Sequence, residues 1–342
     1  MLFPKSLRKK TKHRYFVFEL TSSCNQNCLY CYNVWKYHKY PRGIIDVPSW
    51  KKIVSTLKNQ TSIKTISLSG GEPLLYSGVF ELIEYIINQR IKVNFLTNGS
   101  LIDEEMAKKL VGLGVSVFEI PLVAPNPNLH KRLKGKNDFE KVIRGITNIK
   151  YYGGQIITVF VATNLNIKYL KKTVDLGIAL CSSGLMFNRI NPACKNHILL
   201  MPTLDQLKEA LELLNNFSKK YDYPISSSIP IQPCLIDMKY YPNISTGFCP
   251  SRDEHSYFTI DYMGNVRICN HSPDILGNIL RSPFNNIVES NKVVDIKKAY
   301  PCVCSSCKLA STCYGGCKAA AQVCFGSLNA CDPFLLSNSP PK

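Results

Sequence analysis

Apolar, β-rich runs alternate along the first two thirds of the chain with stretches whose apolar residues recur every three or four positions. The runs predict strands at 15–20, 64–69, 92–97, 115–121, 155–163 and 184–190. The three-to-four spacing predicts helices at 50–60, 79–89, 103–114, 138–152, 167–181 and 203–221. Asp103 reads as an N-cap and Gly114 as a stop for the third helix. Six β/α steps in this order predict an α/β fold with a parallel sheet covered by helices. Most of the strands are apolar throughout, as strands buried on both faces must be.

The pattern changes near residue 222. Beyond it, a hairpin is expected over 257–270, turning at Gly264-Asn265, and one more helix over 283–300. Long regular elements are otherwise few, and most of the fifteen cysteines fall here. A segment that is poor in structure and rich in thiols is held together most simply by metal.

The chain has 342 residues and is 45% hydrophobic, enough to bury a sizeable core. Its start, "MLFPKSLRKKTKHRYF", is basic but lacks the apolar stretch of a secretory signal. No apolar run reaches the ~18–20 residues of a membrane span, so no membrane partner is expected. The reading is therefore a cytoplasmic protein with reduced thiols, in which clustered cysteines bind metal rather than form disulfides. The formal net charge is +18, and Lys5, Arg8, Lys9, Lys10, Lys12 and Arg14 follow one another without an acid. No DNA- or RNA-binding signature accompanies this charge, so nucleic acid is not the expected partner. Part of the excess offsets the negative charge that thiolate-held clusters bring inside.

Cys24, Cys28 and Cys31 follow the first strand directly, and the next cysteine is Cys181. In a parallel α/β sheet, ligand chemistry sits beyond the carboxyl ends of the strands. Structural zinc takes four protein ligands, and a cubane iron–sulfur cluster normally takes four thiolates. Three local cysteines therefore suggest a [4Fe–4S] cluster with one iron left open, and an open position marks a catalytic site.

This Cys-x3-Cys-x2-Cys loop, with Tyr30 before the last cysteine, resembles that of the radical S-adenosylmethionine (radical SAM) enzymes. The resemblance implies that the amine and carboxylate of SAM chelate the open iron. The reduced cluster then cleaves SAM to a 5′-deoxyadenosyl radical, which abstracts a hydrogen atom from substrate. Other segments match in order. "SGGEP" (Ser69, Gly70, Gly71, Glu72, Pro73) resembles the motif that contacts the SAM amino group. "TNGS" with Asn98 ends the third strand, and Asn164, Asn188 and Arg189 stand where the family's ribose and adenine contacts lie. One stretch departs from the pattern. In "PLVAPNPNLHKRLKG", Val123 and Ala124 replace an expected Asp-Gly, although His130 and Gly135 match. The carboxylate expected there is missing, and His130 reads as a surface or capping residue.

The C-terminal cysteines resemble the seven-cysteine SPASM domain of peptide- and protein-modifying members. The resemblance implies that Cys304, Cys307, Cys313 and Cys331 hold one auxiliary [4Fe–4S] cluster. Cys249, Cys269 and Cys317 hold another, with Cys234 as candidate fourth ligand or with the position left open to substrate. Zinc in the Cys-x2-Cys pairs is the plainer alternative. Cys181 and Cys194 flank the sixth strand and are candidate hydrogen-atom donors. Buried, inert thiols are the alternative for both, as for Cys302 and Cys324.

The expected architecture is thus a partial (β/α)6 radical SAM barrel over 15–221, preceded by a basic segment at 1–14. A small cysteine-rich SPASM domain follows over 222–334, with a tail at 335–342. Two substrate classes stand open. A peptide or protein maturase (oxidation, cross-linking or epimerisation) fits the SPASM resemblance. A small-molecule epimerase or dehydrogenase of a sugar or cofactor pathway fits the altered "PLVAP" stretch and the 23 residues before Cys24, too few for a leader-binding module. A non-catalytic electron-transfer protein fits "SGGEP" poorly. The resemblance also implies an electron donor such as flavodoxin or ferredoxin.

Overall fold

The computed structural model describes residues 12–247, 249 and 257–338. Lys5, Arg8, Lys9 and Lys10 of the basic segment, and 339–342 of the tail, lie outside the described residues.

Eight parallel strands form the body of the sheet. They are β1 Tyr15–Glu19, β2 Thr65–Ser69, β3 Lys92–Leu96, β4 Val117–Pro121, β5 Ile156–Ala162, β6 Gly184–Arg189, β7 Ile225–Ser227 and β8 Ile244–Thr246. Beyond β1 the same sheet continues through β9 Phe258–Ile260, β10 Asn265–Arg267 and β11 Ile275–Asn278, in the order β11-β10-β9-β1 to β8. β9 runs parallel to β1, whereas β10 and β11 run antiparallel to their neighbours. The sheet does not close, so six β/α steps make a partial barrel. The expected hairpin is present, with Gly264 in the left-handed region at φ 78°.

The first seven helices are α1 Val47–Gln60, α2 Val79–Asn88, α3 Glu104–Gly112, α4 Pro127–Lys134, α5 Phe139–Tyr151, α6 Leu170–Ala179 and α7 Leu204–Tyr221. Their buried faces follow the sequence spacing. Val79, Leu82, Ile83 and Ile86 of α2 are all buried against the sheet, each contributing about 1.5–3 kcal/mol of burial. Asp103 caps α3 by accepting from Met106 N at 2.8 Å, as the sequence predicts. Thr203 and Gln206 close a reciprocal capping box at the start of α7.

The C-terminal part carries α8 Phe284–Val288, α9 Asn291–Lys298, α10 Ala310–Cys313, α11 Lys318–Phe325 and α12 Pro333–Asn338. The single helix expected over 283–300 is broken. Ser290 takes an extended conformation and its hydroxyl bonds back to Ile287 O at 2.8 Å, the local competition that serine offers a helix. α12 also occupies the first residues of the expected tail. The boundary near 222 does not divide the sheet, because β7 to β11 all extend it.

Candidate active site

The loop after β1 lies across the carboxyl ends of the parallel strands and is held by its backbone. Asn27 N donates to Lys134 O at 3.0 Å and Leu29 N to Leu133 O at 2.8 Å. Both acceptors belong to the last turn of α4, where helix carbonyls lack internal partners. Side chains add a second tie. Gln26 Nε2 donates to Asp138 Oδ2 at 2.9 Å, and Asp138 Oδ1 meets His130 Nε2 at 2.8 Å. His130 is therefore neither a surface nor a capping residue: it is fully buried and positions the cysteine loop through Asp138. Burial holds its imidazole below the ordinary range, and the ion pair only partly opposes this.

β2 ends against the same loop. Gly71 N donates to Thr21 O at 2.7 Å and Glu72 N to Ser23 O at 2.8 Å. A Cβ on Gly71 would collide with the Ser23 carbonyl, so this approach requires glycine. Glu72 is fully buried; its carboxylate accepts from Thr97 Oγ1 at 2.7 Å and Asn98 N at 2.8 Å. It braces the loop after β3 instead of lining the cavity. Burial pushes its acid up to about 6.

These loops enclose a cavity of about 540 Å³. Cys24, Cys28 and Cys31 line it, with Tyr30, Ser69, Gly70, Gly71, Asn98, Asn188 and Arg189. Burial pushes the Cys31 thiol up to about 11, and Cys28 and Cys24 push it the same way. Thiolates so placed need a cationic centre among them. Among the described residues Tyr30 Oη is buried without a hydrogen-bond partner, with Cys28 beside it.

Some predicted residues do other work. Asn164 is exposed and donates to Leu199 O at 2.9 Å; it does not line the cavity. Asn188 Oδ1 accepts from Ser228 N at 2.8 Å and so holds the loop after β7. Arg189 is paired with Asp332 at 2.7 Å, both fully buried. Cys181 is exposed in the turn that leads into β6, at the opposite end of that strand from the cavity. Cys194 follows β6 at the correct end but is absent from the lining. Neither placement supports a hydrogen-donor role.

Two smaller cavities are lined by seven other thiols. Cys249, Cys269 and Cys317 line one of about 80 Å³. Cys234, Cys304, Cys307 and Cys313 line one of about 20 Å³, and Cys331 is near enough to raise the Cys304 thiol. Cys234 thus joins the latter set instead of completing the former. Two residues before it, Gln232 Nε2 donates to Asp332 at 2.7 Å. Among the described residues no group of His, Cys, Asp or Glu closes on a single metal ion; the thiols line shared cavities instead.

Two family descriptions match the chain: the radical SAM superfamily over residues 18–177 and an iron–sulfur cluster-binding domain, SPASM, over 249–308. The chain belongs to the radical SAM superfamily. Among its relatives, an uncharacterized protein of Methanocaldococcus jannaschii is 30% identical over 213 residues, 60% of this chain and 72% of the relative. The AdoMet-dependent heme synthase of Methanosarcina barkeri is 24% identical over 349 residues, 94% of this chain and 96% of that one. The mycofactocin maturase MftC of Mycolicibacterium smegmatis is 24% identical over 320 residues, 89% of this chain and 77% of that one. Streptococcus suis SuiB, solved with its precursor peptide SuiA, shares the fold at a TM-score of 0.74 and 17% identity, covering 94% of this chain and 75% of that one.

As a radical SAM/SPASM family member, the protein is an enzyme that binds SAM and [4Fe–4S] clusters. The cavity residues fit this load: three clustered thiols, a close glycine edge and a hollow beside them. No helix among the described residues is long and apolar enough to cross a membrane.

Lys134 and Glu119 are among the cavity residues that escaped the sequence reading. Lys134 is 1% exposed yet lines the cavity, and its ammonium has no hydrogen-bond partner among the described residues. It sits in "HKRLKG", where three basic residues follow each other closely and nothing singles it out. Glu119 of β4 also faces the cavity, and burial alone pushes it up to about 7. It stands four residues before Val123, where the family's carboxylate was expected.

Proposed function

We propose that Cys24, Cys28 and Cys31 hold the catalytic [4Fe–4S] cluster and that SAM occupies the cavity beside them, its substrate being a peptide or protein. The observation that carries this reading is the cavity of about 540 Å³ shared by the three thiols, the Gly70-Gly71 edge and a buried cation, Lys134. Held there, a reduced cluster would supply the one electron that reductive cleavage of SAM requires, the source of the radical chemistry. The chain's own residues bind and orient. Gly70 and Gly71 admit the methionine end against the backbone, and Lys134 meets a carboxylate. Tyr30, Tyr32 and Trp35 wall the cavity against water. Cys304, Cys307, Cys313 and Cys331, with Cys234 beside them, hold one auxiliary cluster; Cys249, Cys269 and Cys317 hold another.

Likeness to the maturase MftC, and to the fold of SuiB with its precursor peptide, supports the peptide substrate. A small-molecule substrate of the tetrapyrrole class is the second reading, favoured by the heme synthase relative that covers 94% of this chain. An electron donor such as flavodoxin or ferredoxin would serve either.

The test is anaerobic reconstitution with iron counting and a SAM cleavage assay. About twelve irons per chain and release of 5′-deoxyadenosine on reduction are expected. A chain inert toward SAM refutes the reading. With substrate, deuterium from a labelled precursor peptide should appear in 5′-deoxyadenosine; deuterium arriving only from a porphyrin would favour the second reading. Lys134→Ala should raise the KM for SAM about 10- to 100-fold, the loss of one charge-assisted hydrogen bond, with iron content unchanged.

A further inference from the structure

The cavity lined by Cys249, Cys269 and Cys317 offers three thiols, and Cys234, the candidate fourth, lies with the other set. One further metal-binding side chain lines this cavity. His271 stands two residues beyond Cys269, and among the described residues it is the one His, Asp or Glu in this lining.

The surrounding loop is built to hold that ring still. Arg267 Nη1 donates to Asn270 O at 3.2 Å and Ser272 O at 2.8 Å, clamping the residues on both sides of His271. Arg267 is itself fixed by a buried ion pair with Glu19 of β1. Tyr32, from the catalytic cysteine loop, packs on the imidazole with ring centres 4.8 Å apart. Asn191 Nδ2 already donates to Cys317 Sγ at 3.4 Å, the kind of outer contact that orients a ligating thiolate.

We propose that the His271 imidazole is the fourth protein ligand of the auxiliary cluster held by Cys249, Cys269 and Cys317. This rests on the three-cluster reading given above. Imidazole is a recognised iron ligand, and exchanging thiolate for neutral nitrogen raises a cluster's potential. His271 also lines the large cavity. Its ligation would therefore bring this cluster to the wall of the chamber that holds SAM and substrate.

The test uses the full chain with Cys24, Cys28 and Cys31 replaced by Ala, so that only auxiliary signals remain. After anaerobic reconstitution and reduction, pulsed paramagnetic resonance should show a strong nitrogen coupling that changes isotope pattern with 15N-histidine. Adding His271→Ala should abolish it. His271→Cys should retain about eight irons, lose the coupling and shift that cluster to a more negative potential. A loaded protein without nitrogen coupling, or a coupling that survives His271→Ala, overturns the assignment while leaving the clusters intact. Only about four irons in the triple-Ala chain would instead overturn the three-cluster reading, and this proposal with it.

Discussion

Replacing Cys24, Cys28 and Cys31 with Ala is expected to reduce SAM cleavage to background while leaving about eight of about twelve irons bound. The separation of the thiols underlies this. The three loop cysteines share the large cavity, and the remaining ligand candidates except Cys331 line two others. The loop itself should survive the change, because Lys134 O, Leu133 O and Asp138 hold Asn27, Leu29 and Gln26 rather than the cysteines. The replaced chain should therefore fold and load its auxiliary clusters. Cleavage falling only a few-fold would mean that the chemistry starts elsewhere. Complete loss of iron would mean that the three sites do not load independently.

The second large effect concerns stability. Asp332→Ala should cost about 3–5 kcal/mol, the range for removing one partner of a buried ion pair. Asp332 Oδ2 accepts from Arg189 Nη2 at 2.7 Å, Gln232 Nε2 at 2.7 Å and Cys317 N at 2.8 Å. Oδ1 accepts from Phe334 N at 2.9 Å. One carboxylate thus ties β6, the Cys234 turn, the Cys317 segment and α12 together. Without it the Arg189 guanidinium remains fully buried, with only Phe334 and backbone carbonyls around it. Thermal unfolding should fall by on the order of 5–10 °C, and both auxiliary sites should lose iron sooner under chelation. Melting within about 1 °C of the parent would refute this clasp.

The repeating part of the fold was legible because periodicity and caps agree there. Buried positions of α2 and α7 follow the apolar spacing, and Asp103 caps where expected. α4 escaped, although its signals were present: Asn126 caps it by accepting from Leu129 N at 3.0 Å, Pro127 opens it and Gly135 closes it at φ 67°. β7 and β8 escaped for a different reason. "ISS" and "IST" carry no apolar run and become strands only by pairing with β6 and with each other.

The candidate site divides in the same way. The thiols and glycines that line the cavity were named from local motifs, whose spacing is itself the geometry. Residues whose role depends on distant partners were not. Glu72 turned under the β3 loop because Thr97 and Asn98 offer it donors. Cys234 lines the cavity of the other thiol set, a placement that local spacing does not carry. His130, placed on the surface by the sequence reading, is drawn inside by Asp138.

The central claim is that SAM fills the position left open by Cys24, Cys28 and Cys31. Electron–nuclear double resonance on the reduced, reconstituted protein tests it directly, using SAM labelled with 15N at the amine and 17O at the carboxylate. Couplings from both labels to one cluster, lost in the triple-Ala chain, are the predicted result. A reduced cluster that binds SAM with neither coupling would contradict the account.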